Sequence, residues 1–261
     1  MNMIDLTSCL LHFAPISLEE MDHVKLLDRI DTKYVINQDS LEGYLLALHD
    51  KYRVLSIDGI LVHPYETLYY DTPDYRLFRM HQSGRQNRFK IRFRKYVNSD
   101  IAFFEIKSKN NTDRTIKKRV LVESIFETLN GSLNKFITSH TTGAFHEYVP
   151  VLRVFFNRIT LVNILANERL TIDTDIRYAS NGDEKNMERL VIIELKQEKL
   201  VDSPFMQLMD GKGLHENYIS KYCQGVVNMN KDLKKNLFKH RLNKLNKPGC
   251  DLYPIIFPEK N

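Results

Sequence analysis

The sequence lacks the marks of secreted, zinc-binding and membrane-spanning proteins. Its cysteines, Cys9, Cys223 and Cys250, stand far apart, so neither a disulfide framework nor a cysteine-based zinc site is indicated. Isolated thiols suit a reducing compartment, and we expect a cytoplasmic protein. No apolar run approaches the roughly 18 residues of a membrane helix. The first apolar run is broken by His12 and Pro15 and follows no basic segment, which argues against a signal peptide.

Familiar catalytic motifs are missing as well. The sequence contains no Walker loop, no G-x-G-x-x-G, no H-E-x-x-H and no nucleophile elbow. His-based zinc chemistry and serine hydrolysis therefore lack support. There is also no internal repeat or low-complexity tract, and 261 residues with 43% hydrophobic content suffice for a sizeable core.

The charge is modestly positive and unevenly placed. The net charge is +5, and residues 231–247 hold seven Lys or Arg and one acid. We expect this tail to be a solvated helix, whose leucine spacing permits contact with a polyanion or a membrane surface. The rest of the chain is closer to neutral, and its positive excess fits an anionic ligand without identifying it.

Three segments carry charges at every second position. In residues 88–94 every even residue is a cation, and a strand would place these side chains on one face. Like charges so arranged repel one another unless water or an anion compensates them. The segments 103–109 and 190–196 repeat the pattern, with carboxylates beside the lysines. The charged residues are Arg88, Lys90, Arg92, Arg94, Glu105, Lys107, Lys109, Glu194 and Lys196.

This pattern indicates a site for a chain of phosphates. Arginine binds phosphate oxygens through its planar fork, and lysine supplies a compact charge. A divalent ion that bridges phosphate oxygens needs at least one carboxylate, for which Glu194 and Glu105 are the candidates. We expect Asp173 and Asp175 to pair with arginines instead.

The secondary-structure pattern favours an α+β fold with antiparallel strands. Helices are predicted from Ser17 toward Leu27, from Asp39 or Ser40, over 122–140 with Gly131 as a break, and over 217–228. The predicted strands are residues 32–36, 61–70, 88–97, 101–109, 114–120, 151–162, 168–178 and 190–197.

The alternating pattern leaves two architectures open. One is a sandwich with a solvated outer face, and the other is a closed barrel with a charged lumen and helices over its apolar outer face. A solvated face usually mixes both signs of charge, whereas the face of residues 88–94 is wholly cationic, which favours the barrel.

Eight motifs then occur in the order known from one family. The chain resembles, from about Asp28 to Gly225, the VTC domain, the polyphosphate-polymerase module of the triphosphate tunnel (CYTH-like) metalloenzymes, in its stand-alone bacterial form. The motifs are Asp28-Arg29-Ile30-Asp31-Thr32-Lys33-Tyr34, Tyr69-Tyr70-Asp71-Thr72-Pro73, Arg92-Phe93-Arg94, Phe104-Glu105-Ile106-Lys107, Phe156-Asn157-Arg158, Arg169 before Thr171-Ile172-Asp173-Thr174, Glu194-Leu195-Lys196, and Ser220-Lys221-Tyr222.

The resemblance implies a fold and a set of site residues. The fold is an eight-stranded antiparallel barrel with helices on its outer face, spanning residues 1–228, followed by the basic tail 229–261. Glu194 would hold Mn²⁺ or Mg²⁺, and Ser220 would help to place a phosphate. The residues that would grip phosphates in the tunnel are Lys33, Arg92, Arg94, Lys107, Arg158, Arg169 and Lys221.

Further substrate-binding candidates surround this set. Arg88, Lys90, Lys109 and Lys196 follow from the charged faces. Lys117, Lys118 and Arg119 fall where the family has one further lysine, and the motif does not choose among them. Two positions depart from the family pattern: Phe156 stands in place of a tyrosine, and Lys109 in place of a histidine.

The implied reaction is the transfer of the terminal phosphoryl group of ATP to a polyphosphate chain. A triphosphatase of the same fold and a non-catalytic polyphosphate-binding module are the alternatives. We expect ATP and polyphosphate as ligands and no nucleic acid, because no stacking platform is evident. A membrane-protein partner is compatible with the sequence, which does not fix the oligomeric state.

Overall fold

The structure is a computed structural model that describes residues 3–21, 29–109, 115–141, 145, 147–187, 189–230 and 233. Asp28 and the basic stretch 234–247 lie outside the described residues, so the boundary at residue 228 stays a prediction. No helix among the described residues is long and apolar enough to cross a bilayer.

The described part of the chain contains eleven strands. They are β1 (Ala14–Ile16), β2 (Ile30–Asn37), β3 (Arg53–Leu55), β4 (His63–Asp71), β5 (Arg88–Tyr96), β6 (Ile101–Lys109), β7 (Thr115–Val122), β8 (Val149–Asn163), β9 (Glu168–Ser180), β10 (Asp183–Met187) and β11 (Leu190–Gln197). The eight strands expected from the sequence are all present, and β1, β3 and β10 are additional.

Seven helices accompany the strands in the same described ranges. They are α1 (Met3–Leu10), α2 (Leu18–Met21), α3 (Leu41–Leu48), α4 (Arg76–Gln82), α5 (Gly131–His140), α6 (Pro204–Gly211) and α7 (Lys221–Met229), and a 3₁₀ turn over Gln38–Ser40 precedes α3. The expected helix over 122–140 begins only at Gly131, because the Asn130 side chain caps the backbone N–H of Leu133.

The strands form one antiparallel sheet in the order β2-β11-β9-β8-β4-β5-β6-β7. β10 pairs with β9, β3 pairs with β8, and β1 lies parallel to β3. Lys107 of β6 reaches Asp31 of β2, with Nζ and Oδ2 3.4 Å apart, so side chains from opposite ends of this strand order meet. The α+β class and the antiparallel sheet are confirmed. Closure of the sheet into a barrel stays a prediction, which this contact supports.

One face of the sheet is covered by helices. Tyr34, Ile36, Ile172 and Val191 lie in one apolar cluster with residues of α1, α3 and α6. Farther along the sheet, Leu133 and Ile137 of α5 pack in a cluster with side chains of β4, β5 and β6. These side chains alternate with the charged ones along each strand, as the pleat requires.

The helix α7 departs from the predicted arrangement because it packs on the charged face. Tyr69 of β4 is paired with Arg92, so both side chains share a face, and the Tyr69 ring lies 5.0 Å from that of Tyr222 in α7. Leu152 and Tyr178 join the same cluster. The helix thus fills part of this face with apolar side chains and leaves the remainder to charged groups.

Candidate functional site

The charged face is assembled by strand pairing. Arg92 is paired with Glu105, Lys90 with Lys107, and Glu194 with Lys33. Directly paired residues point to the same side of a sheet. The alternation predicted from the sequence therefore brings the expected cations together with a small number of carboxylates, which form three clusters.

The first cluster surrounds Glu105, which is 1% exposed. Its Oε2 accepts a hydrogen bond from Arg92 Nε at 2.8 Å and lies 2.7 Å from Arg92 Nη2, and its Oε1 lies 2.5 Å from Lys117 Nζ. Burial alone would raise the pKa of Glu105, but Arg92, Arg94 and Lys117 outweigh it and hold that pKa far below its usual value. Burial lowers the pKa of Lys117 to about 8, although Glu105 opposes the shift.

The second cluster surrounds Asp173, which is 2% exposed. Arg158 donates to both carboxylate oxygens, from Nε at 2.6 Å and from Nη2 at 2.8 Å, in the bidentate geometry of a strong ion pair. Lys221, at the start of α7, also donates to Oδ2. The pairing expected for Asp173 is confirmed. Asp175 instead accepts from Asn157 and Thr174, because the register shifts beside Phe155 and Asn157.

The third cluster is centred on Glu194. Its Oε1 lies 2.7 Å from Lys33 Nζ and its Oε2 lies 2.8 Å from Lys196 Nζ, which also donates to Thr171 Oγ1 at 3.0 Å. Burial lowers the pKa of Lys196 to about 8 against the pull of Glu194. Burial likewise disfavours charged Lys33, but Glu194 and Asp31 outweigh it and raise the pKa of Lys33.

The N-terminus of α7 closes one side of the charged face. Ser220 caps the helix by accepting from the Cys223 N–H, and its hydroxyl also accepts from Lys90 Nζ at 2.8 Å. Burial lowers the pKa of Lys90. The sequence prediction that Ser220 and Lys221 stand at the start of a helix beside the phosphate site is consistent with this placement.

Arg94 is only weakly compensated by carboxylates. Its Nε is buried and has no hydrogen-bond acceptor among the described residues. The nearest carboxylate oxygen, Glu105 Oε2, lies 3.9 Å away and is already engaged by Arg92. Burial and the neighbouring Arg92 lower the pKa of Arg94. A buried guanidinium whose Nε–H group has no acceptor is a group that an incoming anion would satisfy.

The remaining predicted residues are placed differently. Arg88 donates to the backbone oxygen of Arg85 at 2.7 Å, so it turns toward the preceding loop, and Lys109 is its partner at the strand end. Arg169 is paired with Lys196 on the charged face. Lys118 is paired with Ile106, so strand alternation directs it to the face opposite Lys117, and the structure does not bring it to the site.

Sequence reasoning missed an aromatic contribution to this face. The Tyr69 hydroxyl accepts from Arg92 Nη1 at 3.2 Å, and Arg92, Arg94 and Lys90 together outweigh burial and lower the pKa of Tyr69. Four more rings, which we call the aromatic rim, line the edge where β5 ends and β6 begins. They are Tyr65, Tyr96, Phe103 and Phe156.

The aromatic rim was not evident from the sequence, and the expectation that the protein binds no nucleic acid stays a prediction. The four rings come from four different strands, and the pairing of those strands is what brings them together. Tyr96 continues the every-second-residue series of Arg88, Lys90, Arg92 and Arg94, which is the signal that could have revealed it, whereas Tyr65 has no such series in its strand.

Solved structures similar to this chain share little sequence with it. A protein of Pyrococcus horikoshii OT3 has 13% identity and a TM-score of 0.37, covering 72% of this chain and 91% of that one. A Hippeastrum protein, named as an adenylyl cyclase candidate with a dominant triphosphatase activity, has 13% identity and a TM-score of 0.45, covering 76% and 94%. A conserved hypothetical protein of Pyrococcus furiosus has 13% identity and a TM-score of 0.38, covering 71% and 92%.

The comparison with family models identifies the family of this chain, which the solved structures, at 13% identity, do not. No curated protein matches the sequence. The family model of the VTC domain matches residues 28–230, which include every strand from β2 to β11 and all three carboxylate clusters. The chain therefore belongs to the VTC domain family, whose general activity is the handling of phosphate and triphosphate groups.

Proposed function

We propose that the protein is a metal-dependent polyphosphate polymerase, which transfers the terminal phosphoryl group of ATP to a growing polyphosphate chain. The observation that carries this proposal is Arg94, a buried cation without a hydrogen-bonded anion, on a face where cations outnumber carboxylates. A polyanion that entered this face would compensate the excess charge.

The chemistry asks for position and charge more than for covalent participation. Phosphoryl transfer proceeds through a state whose charge is spread over phosphate oxygens, so fixed cations stabilise it. Arg92 and Arg158 are held in place by Glu105 and Asp173 before substrate binds. Their orientation therefore needs little adjustment when phosphate arrives, and part of their hydrogen-bonding capacity remains for it.

The donor set around Glu194 suits a metal ion that arrives with its substrate. No cluster of three or more metal-ligating side chains is found in the described ranges, and Lys33 and Lys196 flank the carboxylate. Mg²⁺ and Mn²⁺ commonly use one carboxylate together with phosphate oxygens, and each oxygen of Glu194 keeps a second lone pair. Glu194 would hold the ion, which when bound neutralises charge on the phosphates.

The extent of the basic face favours a phosphate chain over water as acceptor. Cations continue from Lys33 and Lys196 through Arg158 and Arg94 to Lys90 beside α7. A triphosphate alone would leave part of this set without a phosphate. A triphosphatase, which would pass the phosphoryl group to water, needs only the central portion and remains the alternative.

Substitution of Glu194 tests the metal-dependent reaction. The Glu194→Gln variant should retain tripolyphosphate binding within about threefold, since it loses no cation, and should lose turnover of ATP in Mn²⁺. The exposed Glu198, whose carboxylate accepts from Asn167, provides the matched control Glu198→Gln. Unchanged turnover in Glu194→Gln would refute the assignment of the metal to Glu194. Loss of tripolyphosphate binding would show that the substitution disrupts the basic face itself.

A further inference from the structure

The aromatic rim is a continuous strip of rings across four strands. The Tyr65 ring stacks on Phe156 with centroids 5.1 Å apart and planes 10° apart, and it lies 4.9 Å from Tyr96. Phe103 continues the strip 6.1 Å beyond Tyr96. Tyr65, Tyr96 and Phe103 are only partly buried, so ring surface remains accessible.

Cations border the rim on the side of the charged face. The guanidinium carbon of Arg158 lies 5.0 Å from the Tyr65 ring centre, and that of Arg94 lies 5.8 Å from it. Arg119 lies 4.4 Å from the centre of the Phe103 ring. The rim is therefore an apolar surface joined directly to groups that bind phosphate.

Spacing along β5 connects the two surfaces. Tyr96 follows Arg94 by two residues on the same face, a separation of about 7 Å along a strand. Such a distance suits the ribose that separates a nucleobase from its first phosphate. Exposed Ile101 and Leu121 extend the apolar surface, being directly paired with Tyr96 and Phe103 respectively.

We propose that the aromatic rim binds the base of a nucleoside triphosphate whose phosphates lie among Arg94, Arg119 and Arg158. This inference rests on the proposed function and adds to it the part of the protein that distinguishes a nucleotide from inorganic polyphosphate. An inorganic chain has no group that would use the rings, whereas a base stacks on aromatic side chains with little regard to its identity. Adenine and guanine nucleotides should therefore bind comparably.

The test compares two ligands that differ in the nucleoside alone. Titration calorimetry in the same Mn²⁺ buffer measures the Kd of ATP and of tripolyphosphate for the wild-type chain and for the Tyr96→Leu/Phe103→Leu double variant. We expect the double variant to bind ATP about tenfold more weakly and tripolyphosphate within about twofold of wild type. The Tyr96→Phe variant keeps the ring and should bind both ligands as wild type does.

A fluorescent base gives a second readout. Because the chain has no tryptophan, the fluorescence of etheno-ATP can be followed with little protein background, and stacking on the rim should quench it. Equal weakening of ATP and tripolyphosphate in the double variant would overturn the inference, since the rings would then act through folding. Unchanged ATP binding would also overturn it. Failure of the wild-type chain to bind either ligand would instead refute the proposed function, and the base site with it.

Discussion

Individual cations in this site differ in how well they are compensated. Arg158 is held by a bidentate, buried carboxylate, whereas Arg94 has no oxygen closer than 3.9 Å among its carboxylate contacts. Removing one partner of a buried pair leaves an uncompensated charge, which typically costs about 3–5 kcal/mol. Removing Arg94 breaks no hydrogen-bonded ion pair, and Glu105 keeps Arg92 and Lys117 as partners, so this penalty should be small. Two arginines of the same face should therefore respond differently to the same substitution.

We expect Arg94→Ala to weaken tripolyphosphate binding by about tenfold or more, because a charge-assisted hydrogen bond contributes about 1.5–3 kcal/mol. Its free energy of unfolding should equal or exceed that of the wild type. Arg158→Ala should lose both binding and stability. Calorimetry and urea denaturation measure the two effects, and Arg177→Ala, which removes an arginine paired with partly exposed Glu184, is the control. A strongly destabilised Arg94→Ala protein would contradict this account of its environment.

The lowered pKa of Lys117 predicts a pH dependence. With a pKa of about 8, Lys117 is charged below that pH and neutral above it. Binding of tripolyphosphate should therefore weaken as the pH rises through about 8, and the Lys117→Met variant should show a flatter profile over the same range. Calorimetric titration between about pH 7 and 9 checks this. An identical slope in wild type and variant would show that another group governs the change.

Among the structural elements, α7 links the apolar core to the charged face. Gly225 lies where a Cβ atom would come within 2.4 Å of Leu152 Cδ2 and 2.7 Å of Tyr178 Cδ1. The helix is also anchored by Tyr222, whose hydroxyl donates to the buried Asp71. Asp71 additionally accepts the backbone N–H groups of Leu77 and Phe78 at the start of α4. The positions of Ser220 and Lys221 therefore depend on how closely α7 packs.

Two glycine substitutions distinguish the effect of close packing on stability from the effect of helix propensity. Gly225→Ala should destabilise the protein by about 1–3 kcal/mol through overpacking and should weaken polyphosphate binding by displacing Ser220 and Lys221. Gly43→Ala in α3 meets nothing within 4 Å and should stabilise by about 0.5–1 kcal/mol, without an effect on binding. Chemical denaturation and calorimetry provide both measurements. A neutral Gly225→Ala variant would show that α7 can shift without consequence.

The elements that were predicted well from the sequence are those in which apolar side chains recur with the period of a strand or a helix. Residues 101–109 and 190–197 each begin with four apolar residues and then carry a charged residue at every second position, and they form β6 and β11 with the expected bounds. The helix predicted from Asp39 or Ser40 is α3, whose buried residues Leu41, Tyr44, Leu45 and Leu48 recur at helical spacing. Short elements escaped prediction: β1 and β3 have three residues each, which is too few for a period, and they exist because they pair with the sheet. Whether such a short segment forms a strand depends on its tertiary contacts, which a single sequence does not display.

At the scale of the whole molecule, the sequence indicated which residues lie on the charged face more readily than which of those residues contact one another. Alternation placed Lys90, Arg92 and Arg94 on one face, and the family motifs added Lys33 and Arg158. Which carboxylate holds which cation depended on strand order and register, as Glu105, Asp173 and Glu194 show. The packing of α7 on the charged face, rather than outside it, was likewise not contained in any local pattern.

The whole chain should be stabilised by the polyanion it binds. A ligand that binds only the folded state at about 100 times its Kd adds about 2.7 kcal/mol to the free energy of unfolding. Tripolyphosphate should therefore raise the Tm, and it should raise that of Arg94→Ala by less at the same concentration. Sulfate at equal ionic strength controls for general salt effects. An equal shift from sulfate would indicate non-specific screening rather than a phosphate site.

The central claim is that the phosphoryl group passes to phosphate and not to water. Incubation of the purified full chain with ATP and Mn²⁺, followed by separation of the products on a polyphosphate-resolving gel, measures this directly. We predict a ladder of polyphosphate together with ADP, absent in the Arg92→Ala/Arg94→Ala double variant. Release of free phosphate without polymer would contradict the claim and identify a triphosphatase, and binding of polyphosphate without any turnover of ATP would contradict it in favour of a binding module.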